Sequence, residues 1–193
     1  MSAQQPTPSA PQGWSFETRQ IHAGQEPDPV TGARALPIQQ TTSYVFPDAE
    51  TAAGRFGLSQ VGPIYTRLTN PTTEVVENRI ASLEGGTAAV MVASGQAATT
   101  YAILNVAGAG DHIVASPSLY GGSFNLFKHT LSRLGIETTF VSDPDDPQAW
   151  RDAAQLNTKA FYAESIPNPR NDVLDLETVS AIAHESEVPL DRK

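Results

Sequence analysis

From residue 63 onward, short apolar runs alternate with stretches whose apolar residues recur at helical spacing. Predicted strands lie at 88–93, 112–115, 137–141 and 159–163, and the run at 88–93 is apolar throughout, as in a buried parallel strand. Helical patterns follow or separate them at 96–106, 124–134, 147–154 and 175–186. Strand and helix therefore alternate along the chain, which is typical of crossover connections over a mainly parallel sheet.

One further helix is predicted before the first of these strands. Asn70 is a capping residue in front of Pro71, and proline is favoured in the first turn of a helix. Apolar residues follow at Val76, Ile80 and Leu83, and a glycine pair at 85–86 ends the helix. The fold class expected from the whole pattern is α/β, with helices on both faces of the sheet.

The first 62 residues have no such regularity. Residues 1–13 are rich in Pro, Gln and Ser, which predicts a disordered tail. Residues 14–62 carry several prolines and little periodicity, so we expect an extended arm that lies on another surface, with one short helix near 48–56 capped by Asp48. Residues 63–193, where the regular alternation of strands and helices begins, are then expected to form one further domain.

Composition excludes several kinds of function. A net charge of −9 and a pI near 4.8 argue against a nucleic-acid partner, because binding to phosphate backbones needs a basic face. The chain has no cysteine, and its histidines are dispersed without metal-ligand spacing, so no metal site is predicted. No stretch approaches the roughly 20 apolar residues of a membrane span, and the start lacks signal-peptide features, so we expect a cytoplasmic protein.

Candidate binding residues lie in turns that follow predicted strands, where open α/β sheets bind ligands. The backbone N–H groups of Gly95 and Gln96, at a helix start, suit a phosphate. The Tyr120 ring suits stacking on a planar ligand, and the Asn168 amide, between two prolines, suits a ligand oxygen. Taken singly, each residue is also explained as an ordinary turn glycine, core aromatic or stiffened loop.

Tyr65 and Arg67 form a second candidate pair. They alternate in a stretch predicted to be extended, so both side chains leave on one side. Arginine offers a planar fork for phosphate oxygens, and the tyrosine hydroxyl adds a donor. The simpler interpretation is a surface pair. Two other classes of protein fit poorly. An NAD-binding Rossmann domain would have a G-x-G-x-x-G after a predicted strand, and none is present. A serine hydrolase would have its serine in a G-x-S-x-G motif, which Ser94 lacks.

Together, five segments resemble the Cys/Met-metabolism family of pyridoxal-phosphate enzymes, over residues 16–190. They are IHAGQEPDPVTGARALPIQQTTSYVF (21–46), IYTRLTNPT (64–72), LEGGTAAVMVASGQAA (83–98), SLYGGSFNLF (118–127) and ESIPNPR (164–170). The resemblance implies that residues 63–193 form an incomplete pyridoxal-phosphate-binding large domain of fold type I, with the C-terminal domain absent. It also implies a homodimer that shares its active sites and a homotetramer built from two such dimers. The arm, residues 14–62, would contact neighbouring subunits in these assemblies.

The resemblance assigns a role to each candidate. Gly95 and Gln96 would bind the phosphate of pyridoxal 5'-phosphate, Tyr120 would stack on its ring, and Asn168 would contact the ring hydroxyl oxygen. Tyr65 and Arg67 would reach the phosphate held by the neighbouring subunit.

The implied reaction is a γ-replacement in methionine biosynthesis. It converts O-acetyl-L-homoserine and sulfide to L-homocysteine and acetate, and the stretch HAGQEPDPVTGA favours this branch. The alternatives are a cystathionine γ-synthase or methionine γ-lyase relative, and a non-catalytic remnant.

Family members also use a Schiff-base lysine, a ring-nitrogen aspartate and a substrate-binding arginine, all placed later than Leu190. Asp191 comes too soon for the family aspartate, and Lys128, Lys159 and Lys193 do not match the lysine context. We therefore assign no catalytic residue. The 193-residue chain is expected to be truncated and to lack turnover by itself.

Overall fold

The computed structural model describes residues 13–192, so the tail predicted for residues 1–13 lies almost wholly outside the described residues. The described residues form two units by their contacts, which we call the N-terminal unit (13–91) and the C-terminal unit (92–192). The predicted division between residues 62 and 63 stays a prediction. Within residues 13–192, no helix is long and apolar enough to cross a membrane.

The N-terminal unit contains three helices, α1 (Phe16–His22), α2 (Ala49–Phe56) and α3 (Pro71–Glu84). The predictions of α2 and α3 are confirmed, with the expected caps: Asp48 accepts from the Thr51 N–H, and Asn70 accepts from the Thr72 N–H. The arm was expected to be irregular at α1, and that is wrong. The Ser15 hydroxyl accepts from the Thr18 N–H at 3.3 Å and caps a short helix there.

Hydrogen bonds attach the arm to the start of α3. The Asn70 amide donates to the Gln39 carbonyl at 2.9 Å, and the Gln39 N–H donates to the Thr72 hydroxyl at 2.9 Å. Ser43 and Tyr65 form an antiparallel bridge. The arm therefore lies on a neighbouring segment of its own chain, because its polar backbone groups find partners there.

The C-terminal unit is a four-stranded parallel sheet with the order β2-β1-β3-β4, which confirms the predicted α/β class. Helix α5 (Gly121–Asn125) continues directly into a π-helical stretch, Leu126–Leu131. The elements in chain order are α4 (Gly95–Val106), β1 (His112–Ala115), α5 (Gly121–Asn125), β2 (Glu137–Phe140), α6 (Pro147–Ala153), β3 (Thr158–Ala163), α7 (Leu176–Glu185) and β4 (Leu190–Arg192).

Both faces of this sheet are covered, because alternate strand residues point to opposite sides. On one face, Val114 and Phe161 pack in a buried cluster with Trp150 of α6 and Ile182 of α7. On the other face, a second cluster joins strand residues to α4 and α5, and it includes Ile103, Ile113, Phe127, Leu131 and Tyr162. The central strands β1 and β3 are therefore buried on both sides, as their continuous apolar runs predict.

The strand predicted at 88–93 is wrong. Val90 is 80% exposed, and the segment belongs to no strand of the described sheet. The Met91 N–H donates to the Glu77 carboxylate at 2.7 Å instead of to a strand. An apolar run becomes a strand only where a neighbouring backbone pairs with it, and within residues 13–192 none does. The apolar residues of α3 that recur at helical spacing do not form its buried face. Val76 and Ile80 are exposed, and Ala81 is the buried residue of this helix.

Candidate functional site

The candidate site lies at the carboxyl edge of the parallel sheet. Strands β1 and β3 are neighbours in the same direction, so the loops that follow Ala115 and Ala163 leave from one edge. The first loop carries Tyr120 into α5, and the second carries Glu164 and Asn168. This placement follows from topology, because parallel strands gather their carboxyl ends on one side.

Helix α4 presents free backbone donors at its first turn. The Ser94 hydroxyl accepts from the Ala97 N–H at 3.1 Å, and the Ser94 carbonyl accepts from the Ala98 N–H at 3.0 Å. The N–H groups of Gly95 and Gln96 precede these and lie outside the intrahelical ladder. They stand at the positive end of a 12-residue helix, which is a suitable place for an anion.

Tyr120 is held at its backbone while its ring stays accessible. Its N–H donates to the Glu164 carboxylate at 2.9 Å, and the residue is 44% exposed. The ring rests against Gly122, where an added Cβ would lie 2.5 Å from Cε1 of Tyr120 and 2.9 Å from Nε2 of Gln96. A side chain at residue 122 would therefore occupy space that the ring and the amide use.

Asn168 and Tyr120 line the same open recess, of about 350 Å³, together with Glu164 and Ile166. Hydrogen bonds from backbone and side-chain groups stabilise the loop that carries Asn168. The Asn171 N–H donates to the Pro167 carbonyl at 2.7 Å, and the Ser118 hydroxyl donates to the Asp172 carboxylate at 2.9 Å. The structure thus brings together two residues that are 48 positions apart in the sequence.

Sequence reasoning missed the residue that joins these parts, Glu164. This buried carboxylate accepts from the Tyr120 N–H and from the Ser123 hydroxyl, at 2.9 and 2.8 Å. Ser123 in turn accepts from the Gln96 amide at 3.3 Å. The available signal was an acidic residue immediately after the apolar strand β3, a position where a charge needs partners once buried.

A buried tyrosine lies beside this carboxylate. Burial raises the pKa of the Tyr162 hydroxyl, and the charges of Glu164 and Asp191 act in the same direction. The hydroxyl lies 3.4 Å from the Thr99 hydroxyl of α4. Tyr162 therefore stays a neutral hydrogen-bonding group that links the sheet to α4.

Tyr65 and Arg67 belong to the N-terminal unit. The Arg67 guanidinium lies over the Tyr65 ring, 5.2 Å from its centroid, and both residues are exposed. The prediction that they share an extended stretch is wrong, because Tyr65 forms a bridge and a turn follows it. The two side chains nonetheless lie together, since the turn folds the guanidinium back onto the ring.

Neither described lysine lies at the recess. The Lys128 ammonium lies over the Phe124 ring, 5.2 Å from its centroid. Lys159 pairs with Asp111 at 3.8 Å near the opposite edge of the sheet, where β1 and β3 begin. Residues 13–192 also contain no cluster of three or more histidines and carboxylates that could hold a metal.

Asp191 lies in register with Tyr162 on β4. Burial raises the pKa of its carboxyl, and its Oδ2 atom is buried without a hydrogen-bond partner among residues 13–192. The structure gives it no bond to the residues that line the recess, so it keeps no assigned role.

Comparisons with known proteins identify a family and several relatives for this chain. The profile of the Cys/Met metabolism PLP-dependent enzyme family matches residues 17–190. An O-acetyl-L-homoserine sulfhydrylase of Corynebacterium glutamicum is 62% identical over 177 residues, which is 92% of this chain and 40% of the relative. An O-acetyl-L-homoserine sulfhydrylase of Leptospira meyeri is 54% identical over 182 residues, or 94% of this chain and 41% of the relative. The chain spans about two fifths of the length of these curated relatives.

Two solved structures share the fold at appreciable identity. One, from Campylobacter jejuni, is described as an O-acetylhomoserine (thiol)-lyase with a pyridoxyl-lysine phosphate; its TM-score is 0.88 at 37% identity, over 93% of this chain and 44% of that one. The other is a cystathionine γ-lyase of Lactobacillus plantarum, with a TM-score of 0.82 at 32% identity over 93% of this chain and 44% of that one. The fold is therefore shared by enzymes with different named activities.

The parallel sheet and its crossover helices have the fold of pyridoxal-phosphate enzymes of fold type I, as expected. The chain belongs to the Cys/Met metabolism PLP-dependent enzyme family. The expected family and fold are confirmed, and the roles of the individual site residues stay predictions.

Proposed function

We propose that this chain supplies the phosphate-binding and ring-binding part of a pyridoxal-phosphate site in an enzyme of methionine biosynthesis. The enzyme replaces the acetate of O-acetyl-L-homoserine with sulfide and releases L-homocysteine. The observation that carries the proposal is the recess at the sheet edge, where Tyr120 and Asn168 meet. The names of the relatives at 62% and 54% identity support this substrate pair.

The residues present fit the cofactor's two ends. The N–H groups of Gly95 and Gln96 lie outside the helix ladder and would donate to the phosphate. The accessible face of Tyr120 would stack on the ring, and the Asn168 amide would donate to the ring hydroxyl oxygen. When bound, pyridoxal phosphate supplies the electron sink that makes proton loss and departure of acetate possible.

Tyr65 and Arg67 would complete the site of a neighbouring copy. Both are exposed, and contact with the Tyr65 ring favours one orientation of the Arg67 guanidinium. The guanidinium fork is suited to phosphate oxygens. The homodimer with shared sites, the homotetramer and the cytoplasmic location are parts of this proposal.

The proposal assigns no catalytic residue among residues 13–192. Lys128 and Lys159 are engaged away from the recess, and neither is placed to bind the cofactor covalently. We therefore expect the 193-residue chain alone to show no turnover and no lysine adduct after borohydride reduction. Homocysteine formation or a trapped adduct in the pure chain would contradict this.

A chimera tests the function directly. Residues 17–190 replace the matching segment of the Corynebacterium glutamicum relative, and homocysteine is measured with O-acetyl-L-homoserine and sulfide. We expect turnover that depends on both substrates. Parallel reactions with cysteine as the thiol and with methionine as substrate test the synthase and lyase alternatives.

The chimera also separates the proposal from the non-catalytic alternative. A folded chimera that binds pyridoxal phosphate but forms no homocysteine would refute the proposed reaction. A folded chimera that binds no pyridoxal phosphate would refute the cofactor site as well. Gel filtration and circular dichroism identify the folded samples on which these readings are made.

A further inference from the structure

Two elements of the C-terminal unit, β3 and α5, meet at one buried carboxylate. Glu164 follows β3, Tyr120 precedes α5, and Ser123 lies in the first turn of α5. The two oxygens of Glu164 are divided between them: Oε2 accepts from the Tyr120 N–H, and Oε1 accepts from the Ser123 hydroxyl. Ser123 is fully buried, so the sharing takes place away from solvent.

The directions of these bonds follow from the chemistry of the groups. A carboxylate only accepts hydrogen bonds, so the Ser123 hydroxyl must be the donor in its hydrogen bond with Glu164. The remaining lone pairs of Ser123 then accept from the Gln96 amide at 3.3 Å. One chain of donors thus runs from the first turn of α4, through α5, to the end of β3.

This chain connects the two ends of the proposed site. Gln96 carries one of the N–H groups that would hold the phosphate, and Tyr120 carries the ring that would stack on the pyridine. Pyridoxal phosphate is one molecule with a short, fixed distance between those groups. A site for it therefore needs its two parts held to a fraction of an ångström, by groups that are themselves held in place.

We infer that Glu164 is a positioning residue, which fixes the spacing between the phosphate-binding turn of α4 and the stacking face of Tyr120. The inference rests on the proposed cofactor site and deepens it. Glu164 acts from the backbone side of Tyr120, since it accepts from the Tyr120 N–H. Bonds to a charged acceptor are about twice as strong as neutral ones, which suits this purpose.

The test uses the full chain with three variants. Glu164→Ala removes both bonds to the carboxylate. Ser123→Ala removes the bond to Glu164 and the bond from Gln96, and keeps the bond between the Tyr120 N–H and Glu164. Glu177→Gln, an exposed carboxylate on α7, is the matched control. Hydrogen exchange is measured over residues 118–125, and dissociation constants are measured for pyridoxal phosphate and, separately, for inorganic phosphate.

In Glu164→Ala, we expect exchange at the Tyr120 amide to accelerate about ten-fold or more, because its charged acceptor is lost. Pyridoxal phosphate should bind about ten-fold more weakly, whereas inorganic phosphate should change by less than about two-fold, because it uses only one part of the site. Ser123→Ala should weaken pyridoxal phosphate with little change at the Tyr120 amide. The control should change neither.

Equal losses for pyridoxal phosphate and inorganic phosphate would overturn the inference, because they would indicate general loosening. Unchanged exchange at Tyr120 together with unchanged affinity would also overturn it. If the unaltered chain binds no pyridoxal phosphate, the proposed cofactor site fails, and the exchange comparison still decides whether Glu164 holds Tyr120. If Glu164→Ala does not fold, Ser123→Ala gives the ratio of the two affinities instead.

Discussion

A methyl group added at Gly122 should disturb the candidate site although alanine is well tolerated in a helix. Gly122 lies in the first turn of α5. Alanine is intrinsically better in a helix than glycine by about 0.5–1 kcal/mol, so the backbone itself favours the change. The added Cβ would lie 2.5 Å from Cε1 of Tyr120, whereas ordinary contacts are 3.4–4 Å.

The ring of Tyr120 must therefore move by about 1 Å, or the helix must shift, and overpacking of this kind costs about 1–3 kcal/mol. The Gln96 amide, 2.9 Å from the same Cβ, must move as well. Stacking of a flat ligand on an aromatic side chain contributes about 1–3 kcal/mol to the free energy of binding, and a displaced Tyr120 ring would lose this contribution. We expect Gly122→Ala to weaken pyridoxal phosphate binding by about 5- to 150-fold.

The neighbouring glycine is a matched control. At Gly121 an added Cβ meets no atom within 4 Å, and it lies in the same helix turn. Gly121→Ala should keep the affinity and raise the free energy of unfolding by about 0.5 kcal/mol. Fluorescence titration with pyridoxal phosphate and urea unfolding measure the two quantities. Equal affinities in the two variants would refute the packing argument for Tyr120.

Three further predictions concern stability, measured by urea unfolding. Burial lowers the pKa of His112 below the ordinary 6.5, although the charge of Glu137 acts to raise it. As the pH falls below 6.5, the unfolded chain therefore binds a proton at His112 more readily than the folded chain. Stability should therefore fall as the pH falls from 6.5, and His112→Gln should reduce that slope; an unchanged slope would contradict the assignment. Gly24→Ala should cost about 2–5 kcal/mol, because φ is +74° and its Cβ would lie 2.8 Å from atoms of α3, whereas Gly32→Ala, at φ +70° in open space, should cost only about 1 kcal/mol. Trp150→Ala removes a fully buried ring and should cost about 3–5 kcal/mol, and a loss below about 1 kcal/mol would contradict its place in the core.

Local signals predicted most elements because their causes are local. Asn70 and Pro71 start α3, and Ser94 caps α4, through bonds between residues two or three positions apart. The apolar runs of β1 and β3 needed only to be recognised as buried on both faces. The segment at 88–93 had the same appearance and was misassigned, because pairing depends on a neighbour that a local pattern does not contain.

For the candidate site, too, some features could be predicted from local sequence and others could not. The sequence by itself determined the residue types at the turns, including the small residues at 94–95, Tyr120 before two glycines, and Asn168 between two prolines. The apolar runs before Tyr120 and Asn168 also indicated that these two turns follow strands and leave from one edge of a sheet, whereas the turn at 94–95 follows no strand of the described sheet. Only the tertiary structure decided that Tyr120 and Asn168 share a recess, and that Glu164 joins Tyr120, Ser123 and Gln96. The hydrogen bonds span 27 to 44 positions, and Tyr120 and Asn168 are 48 positions apart. The strand order creates these contacts, and no local rule of spacing contains that order.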